Sequence, residues 1–266
     1  MDPRRNIRLL LEYNGTRYRG WQRQADAATI QQTIEEALER LTGESVALIG
    51  SGRTDAGVHA LGQVASFRLK STIPLKAFHD GLNSMLPPDI AVLSATEAPP
   101  EFHARKSALH KTYEYRILKR RTRSPLYHHY AWWIALHLDL EALAAAAAFL
   151  PGEHDFTAFR ASGSDNKNPV REVLAAAWRE EPGGWLSFTI TATGFLRGMV
   201  RSLVGTMVEV GKGKAQPDRL AELLASGARH LAGPTAPPQG LYLVEVYYEK
   251  MVGRASRPPS QKATLE

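Results

Sequence analysis

The chain opens on an apolar run of strand length, Asn6–Tyr13 (NIRLLLEY), and then shifts to helical spacing. A polar, aromatic loop at Asn14–Gln24 separates the two. Ile30, Ile34, Ala37, Leu38 and Leu41 recur at three- and four-residue steps and predict a helix. Thr29 stands as its N-cap, with Gln32 three residues on completing a capping box, and Gly43 as the stop. Val46–Gly50 predicts a strand entering a small-residue loop, Gly50–Ala60, and Gln63–Leu69 a strand leaving it. Pro74 opens a second helix with Phe78, Leu82, Met85 and Leu86 on its buried side, and Pro87-Pro88 end it. Ile90–Thr96 is a further strand. The order strand, helix, strand, strand, helix, strand is that of the ferredoxin-like split unit.

Ala98–Arg105 carries two prolines and reads as a crossing between domains. Strands are expected at Lys111–Leu118 and Tyr130–Ile134, and Asp139 caps an alanine-rich helix running to about Leu150. His154–Pro169 is polar and predicts a ligand-facing loop. Val170–Glu180 and Trp185–Thr193 flank Pro182-Gly183-Gly184, a hairpin signal. A helix over Leu196–Val210, a short one at Pro217–Ala225 and a strand at Leu241–Tyr248 complete the second half. Its element order repeats that of the first half with insertions, although no sequence repeat accompanies it. Two domains are therefore expected, 5–104 and 105–250, followed by a disordered tail, 251–266, rich in proline and small polar residues.

Composition narrows the picture. With 266 residues, 44% hydrophobic and 23% charged, this is the make-up of a globular chain able to bury a sizeable core. A formal charge of +6 favours polyanionic partners. No cysteine is present, which excludes disulfides and thiolate metal sites. The N-terminus has no signal-peptide apolar region and no segment reaches the roughly 18 apolar residues of a membrane span. A soluble, cytoplasmic protein is expected.

Candidate chemistry centres on Gly50-Ser51-Gly52-Arg53-Thr54-Asp55-Ala56-Gly57-Val58-His59-Ala60. Three glycines leave little bulk around Asp55, so a large ligand can approach its carboxylate. The same residues also suit an ordinary turn with a solvated Arg/Asp pair. A nucleophilic carboxylate must stay ionised, which nearby cations favour. Arg53 is one candidate cation, and Arg201, with Arg197 one turn earlier, is the other. Between His103 and Tyr130 stand eight Lys/Arg and one acidic residue, with Tyr113, Tyr115, Tyr127 and Tyr130 interleaved. Cations for phosphates and rings for unpaired bases suit nucleic acid, and a half-buried strand explains the tyrosines almost as well. The histidines show no metal-ligand spacing, and neither a phosphate-cradling GxxxxGK[ST] nor a GxGxxG is present. No metal, nucleotide or other cofactor is expected.

Five blocks carry a resemblance. GRTDAGVHALGQVASF (52–67) resembles the catalytic loop of the tRNA pseudouridine synthase A family. TGFLRGMVRSLVG (193–205), FHARKSALHKTYEY (102–115), YNGTRYRGWQRQ (13–24) and Ala236–Leu243 are similar to its other signatures, in the same order. The resemblance implies an α+β fold of two ferredoxin-like (RRM-like) domains whose largely antiparallel sheets form a central sheet and cleft. It implies a homodimer that isomerises uridine to pseudouridine at tRNA positions 38, 39 and 40 in the anticodon arm. Asp55 would be the nucleophile on a flipped-out uridine. Tyr113 would stack on the base, Arg201 pair with Asp55, Leu241 lie beneath the base, and Arg53 assist the flip. Arg197, Lys111, Arg105 and Arg19 are expected on the RNA, and Tyr115, Tyr18 and Trp21 are read as packing or RNA-facing. Two other classes remain open at this point: a catalytically silent RNA-binding module, and a hydrolase using a carboxylate pair.

Overall fold

The alternation in the first strand has a direct counterpart in the computed structural model, which describes residues 4–161 and 168–248. In β1 (Arg5–Tyr13), Ile7, Leu9, Leu11 and Tyr13 are buried, and Arg8 and Glu12 are not. Helix α1 (Ile30–Thr42) is capped by Thr29, whose hydroxyl accepts from the Gln32 N–H, and stopped by Gly43 in the left-handed region. The capping box is only half formed, because the Gln32 side chain turns away to Glu36.

The strand expected at Val46–Gly50 shrinks to β2 (Ile49–Gly50). Helix α1 is the reason: the Leu48 N–H donates to Glu35 and its carbonyl accepts from Gln31, so side chains replace a neighbouring strand. The exit strand β3 (His59–Leu69) is longer than expected, since His59 and Ala60 already pair with the last strand of the chain. Helix α2 (Leu75–Met85) buries Phe78 and Leu82, whereas Met85, expected on its buried side, is 40% exposed at the final turn. Then come β4 (Ile90–Ala98), β5 (His110–Lys119) and β6 (Trp132–Ile134). The last begins two residues later than expected, because residues 127–131 form turns. Helix α3 (Leu140–Ala147), β7 (Gly152–Asp155), β8 (Val170–Glu181) and β9 (Trp185–Ala192) follow. Helix α4 (Met199–Gly211), α5 (Arg219–Ser226) and β10 (Leu241–Tyr247) end the described chain.

All ten strands of the described residues share one sheet, in the order β4-β1-β3-β10-β5-β9-β8-β7, with β2 on β3 and β6 on β5. Every neighbouring pair along that path is antiparallel except β3 with β10. The chain's last strand thus lies in the middle, with Tyr242 opposite His59 on one side and Leu241 opposite Tyr115 on the other. Strands β2 and β10 divide the same edge of β3, and the Asp55 loop emerges between them. Among the described residues, no helix is long and apolar enough to cross a membrane. The expected tail, 251–266, and most of the second half of the expected 154–169 loop lie outside the described residues.

Candidate active site

Residues Ser51–Val58 link β2 to β3, and hydrogen bonds tie them to β1, β3 and the loop before α1. The Ser51 N–H donates to the Val64 carbonyl and its hydroxyl to Gln63 Oε1, at 2.7 and 2.6 Å. Gln63 Nε2 returns to the Gly52 carbonyl at 3.0 Å. Tyr13 and Thr54 share a hydroxyl hydrogen bond of 2.9 Å, and the Trp21 N–H donates to the Thr54 carbonyl. Burial pushes the Tyr13 phenol up to about 12, so it stays protonated as a donor. The Val58 N–H closes a turn on the Asp55 carbonyl at 3.1 Å, with Gly57 at a φ of 76° that favours glycine. Ser51 and Thr54 are buried, and the Asp55 side chain between them and the turn is 30% exposed. Buried hydrogen bonds of this kind favour one shape of the loop. Asp55 is the carboxylate it presents outward.

Two guanidiniums meet that carboxylate. Arg201 Nη1 lies 3.5 Å from Asp55 Oδ2, and Arg197 Nε lies 3.9 Å from Oδ1. Helix α4 begins at Met199 and not at Leu196, with Gly198 as a left-handed N-cap, so Arg197 stands on the turn before the helix. Arg201 is the better fixed of the two. Its Nε donates to the Ala236 carbonyl at 2.7 Å, and the Ala236 N–H donates back to the Arg201 carbonyl at 3.0 Å. Its side chain is 19% exposed against 62% for Arg197. Arg53, the cation nearest in sequence, is exposed and makes no hydrogen bond or ion pair with the described residues.

Tyr113 on β5 is buried and packs edge-to-face on Phe195, with ring centroids 4.8 Å apart. Burial first, then the neighbouring Tyr13 and Asp55, push its phenol well above the ordinary tyrosine value, so it is neutral. Tyr115, two residues on and on the same face, is fully buried and donates to the Pro237 carbonyl, a packing role as expected. Leu241 is buried opposite Tyr115 at the start of β10. Lys111 is half-buried, with Nζ 2.6 Å from the Ser51 carbonyl. Burial, then Arg105, lower its ammonium to about 8. Arg105 and Arg19 are exposed. Tyr18 donates to Asp89 at 2.6 Å and the Trp21 ring lies against Gly50, so both are structural. Asp80 is bound to Lys76 and His79 on an exposed helix face, and Asp55 is the one carboxylate of the 51–58 loop.

The sequence did not single out Tyr13, Gln63, Thr54 or Phe195 as parts of the site. Gln63 had a signal: an amide in a strand otherwise buried along its length must find partners there.

The model of the tRNA pseudouridine synthase family matches residues 10–105 and 145–249, which include the Asp55 loop, both arginines and β10. The chain belongs to the tRNA pseudouridine synthase family. It is 49% identical over 260 residues to a tRNA pseudouridine synthase A of Myxococcus xanthus, covering 98% of this chain and 97% of that one. A tRNA pseudouridine synthase A of Geotalea uraniireducens is 49% identical over 244 residues, 92% of this chain and all of its own. One of Acetivibrio thermocellus is 48% identical over the same length. Within this family, the stretch between the two matched regions holds β5 with Tyr113, which the Myxococcus xanthus relative spans.

Proposed function

We propose that this chain is a tRNA pseudouridine synthase that isomerises uridine to pseudouridine in the anticodon stem-loop, at positions 38, 39 and 40, with Asp55 as nucleophile. One observation carries the reading above the others. In a chain of this family, a carboxylate at the tip of a rigid loop faces two guanidiniums, and a buried tyrosine stands beside it.

A uridine inside a stacked arm is out of reach, so the nucleotide is flipped out, at a cost of about a few kcal/mol. Phosphate contacts and stacking on Tyr113 offset that cost. Exposed Arg53 is free to fill the vacated place in the stack, and Arg105 and Arg19 offer cations to the backbone. Arg201 and Arg197 aim Asp55. Asp55 bonds to C1′ as the N1–C1′ bond breaks, the uracil turns, and C5 bonds to C1′ as the C1′–O bond to Asp55 breaks and frees the carboxylate. The C5 proton leaves and N1 gains one, so no atom is gained or lost overall. Leu241 supplies an apolar floor.

The same reading takes the fold as two ferredoxin-like units, 5–104 and 105–250. The strand orders β4-β1-β3-β2 and β10-β5-β9-β8 support it, each unit presenting the same order. It also takes the working enzyme as a cytoplasmic homodimer, as a tRNA substrate and the family imply. A silent RNA-binding module would gain nothing from an anion in a cation-lined cleft, where it repels phosphate.

Incubation with an unmodified tRNA transcript, followed by chemical mapping of pseudouridine, tests the assignment. Modification at 38, 39 or 40 is expected. Modification elsewhere in the tRNA would overturn the anticodon-arm specificity.

A further inference from the structure

Strand β10 lies between β3 and β5, yet it joins them unequally. Its pairing with β3 is limited to Tyr242↔His59 and Leu243↔Ala60. With β5 it continues through Glu245↔Thr112 and Val246↔Lys111 to Tyr247↔His110. At the level of Lys111, strand pairing therefore no longer ties β5 to β3, and a side chain makes the connection. Lys111 Nζ donates to the Ser51 carbonyl at 2.6 Å. Among the described residues this is the one hydrogen bond that runs directly from β5 to the 51–58 loop. Ser51's other polar groups are all committed to β3, through Val64 and Gln63. Lys111 and Tyr113 are two residues apart on a strand and share a face.

We propose that Lys111 is a positioning residue, setting the distance between the strand that carries Tyr113 and the loop that carries Asp55, and that it does not bind RNA phosphate. The inference rests on the reading of Asp55 and Tyr113 given above. The ammonium's surroundings support it. A lysine that serves phosphate stays in water until RNA arrives, as Arg105 does, whereas Lys111 is enclosed enough for its ammonium to be destabilised. Holding a cation there is unfavourable, and the Ser51 carbonyl is what it gains in return. Gly52 leaves room for it: a Cβ at Gly52 would sit 3.0 Å from Nζ. A methyl group at 52 therefore makes the ammonium give way by a few tenths of an ångström, which strains its bond to Ser51.

The test compares Lys111→Met, Gly52→Ala, the double variant and Arg105→Ala with wild type. It reads the single-turnover rate at saturating unmodified tRNA and the tRNA Kd across a salt series. Lys111→Met is expected to lower the saturated rate by about 10- to 100-fold, the scale of a misplaced reacting group, with Kd and its salt slope unchanged. Arg105→Ala is expected to weaken Kd and reduce the salt slope by about one. Gly52→Ala should lower the rate, and adding it to Lys111→Met should cost little more, because both act on one contact. A weaker Kd with a shallower salt slope and an unchanged rate for Lys111→Met would overturn the proposal, as would losses that multiply in the double variant. If Lys111→Met does not fold, Gly52→Ala alone decides by the same split of rate from Kd. Asp55→Asn runs alongside: turnover by that variant would refute the reading of Asp55, a result separate from any of these.

Discussion

Asp55 is fixed from behind and open in front. Its neighbours Ser51, Gly52, Thr54 and Gly57 are hydrogen-bonded to β3, β1 or the 15–21 loop, and its own carboxylate is left to two arginines. Those arginines are not equivalent. Arg201 has its Nε spent on Ala236 and only its far nitrogen turned to Asp55, so its orientation is set before any substrate binds. Arg201→Met should lower the saturated rate by about 100-fold or more, in the range lost with one preorganised charge-stabilising group. Arg197→Met, removing a half-solvated partner, should cost about 10-fold or less. Single-turnover kinetics on tRNA measure both. Tyr113 is neutral and ring-packed, so its ring matters more than its hydroxyl. Tyr113→Phe should keep base stacking, and Tyr113→Ala should lose about 1–3 kcal/mol of it, read as weaker tRNA binding. At this scale Asp55, Arg201 and Tyr113 were legible in the sequence, because each sits in a distinctive string. The shell behind them was not: Tyr13, Gln63 and Thr54 come from three separate stretches and only the sheet brings them together.

Elements obey the hydrophobic period wherever a strand or helix packs on its like, and depart from it where a side chain takes over a backbone partner. Helix α1 was readable to its caps. The strand before the Asp55 loop was not, because Gln31 and Glu35 of α1 bind Leu48 in place of a strand. The start of α4 moved by three residues for a different reason, the left-handed turn at Gly198, which places Arg197 beside Asp55. Helix α4 also depends on one close approach. A Cβ at Gly205 would fall 1.6 Å from the Pro234 carbonyl, one helical turn beyond Arg201. Gly205→Ala must push residues 234–236 off the helix, and with them the Ala236 carbonyl that holds Arg201. A loss of about 3 kcal/mol or more in urea unfolding is expected, together with a fall in rate.

At the scale of the whole molecule, the final strand closes the sheet, and His59 sits at that closure. The Gly15 N–H donates to its Nδ1, which leaves Nε2 to donate to the His129 carbonyl. The ring is stacked between Tyr130 and Tyr242, and Tyr242 in turn lies under the Arg116 guanidinium. Burial foremost lowers its pKa from 6.5 to about 4, so the folded protein holds it neutral. Between those values the unfolded chain binds the extra proton, and stability rises with pH. This contribution is complete above pH 6.5 and is lost as the pH falls towards 4. Between pH 7 and 5 it should remove about 2 kcal/mol from the unfolding free energy, and His59→Gln should flatten that slope. His110, also lowered by burial, adds a share of the same sign, which His59→Gln leaves in place. The element order of both halves was legible in advance except for β7, which pairs with β8 where the sequence predicts a loop from His154. One central sheet was implied by the resemblance, but that β10 makes the join was not legible, since its pairing with β3 joins residues 183 positions apart.

The central claim is that Asp55 carries out uridine isomerisation. Tritium release from tRNA labelled at uridine C5 tests it most directly, with wild type beside Asp55→Asn and tRNA binding measured for both. Wild type should release tritium and Asp55→Asn should release none while binding tRNA at least as tightly, since an anion has been removed from a phosphate-facing cleft. Release by Asp55→Asn at the wild-type rate, or no release by wild type on tRNA that it binds, would contradict the account.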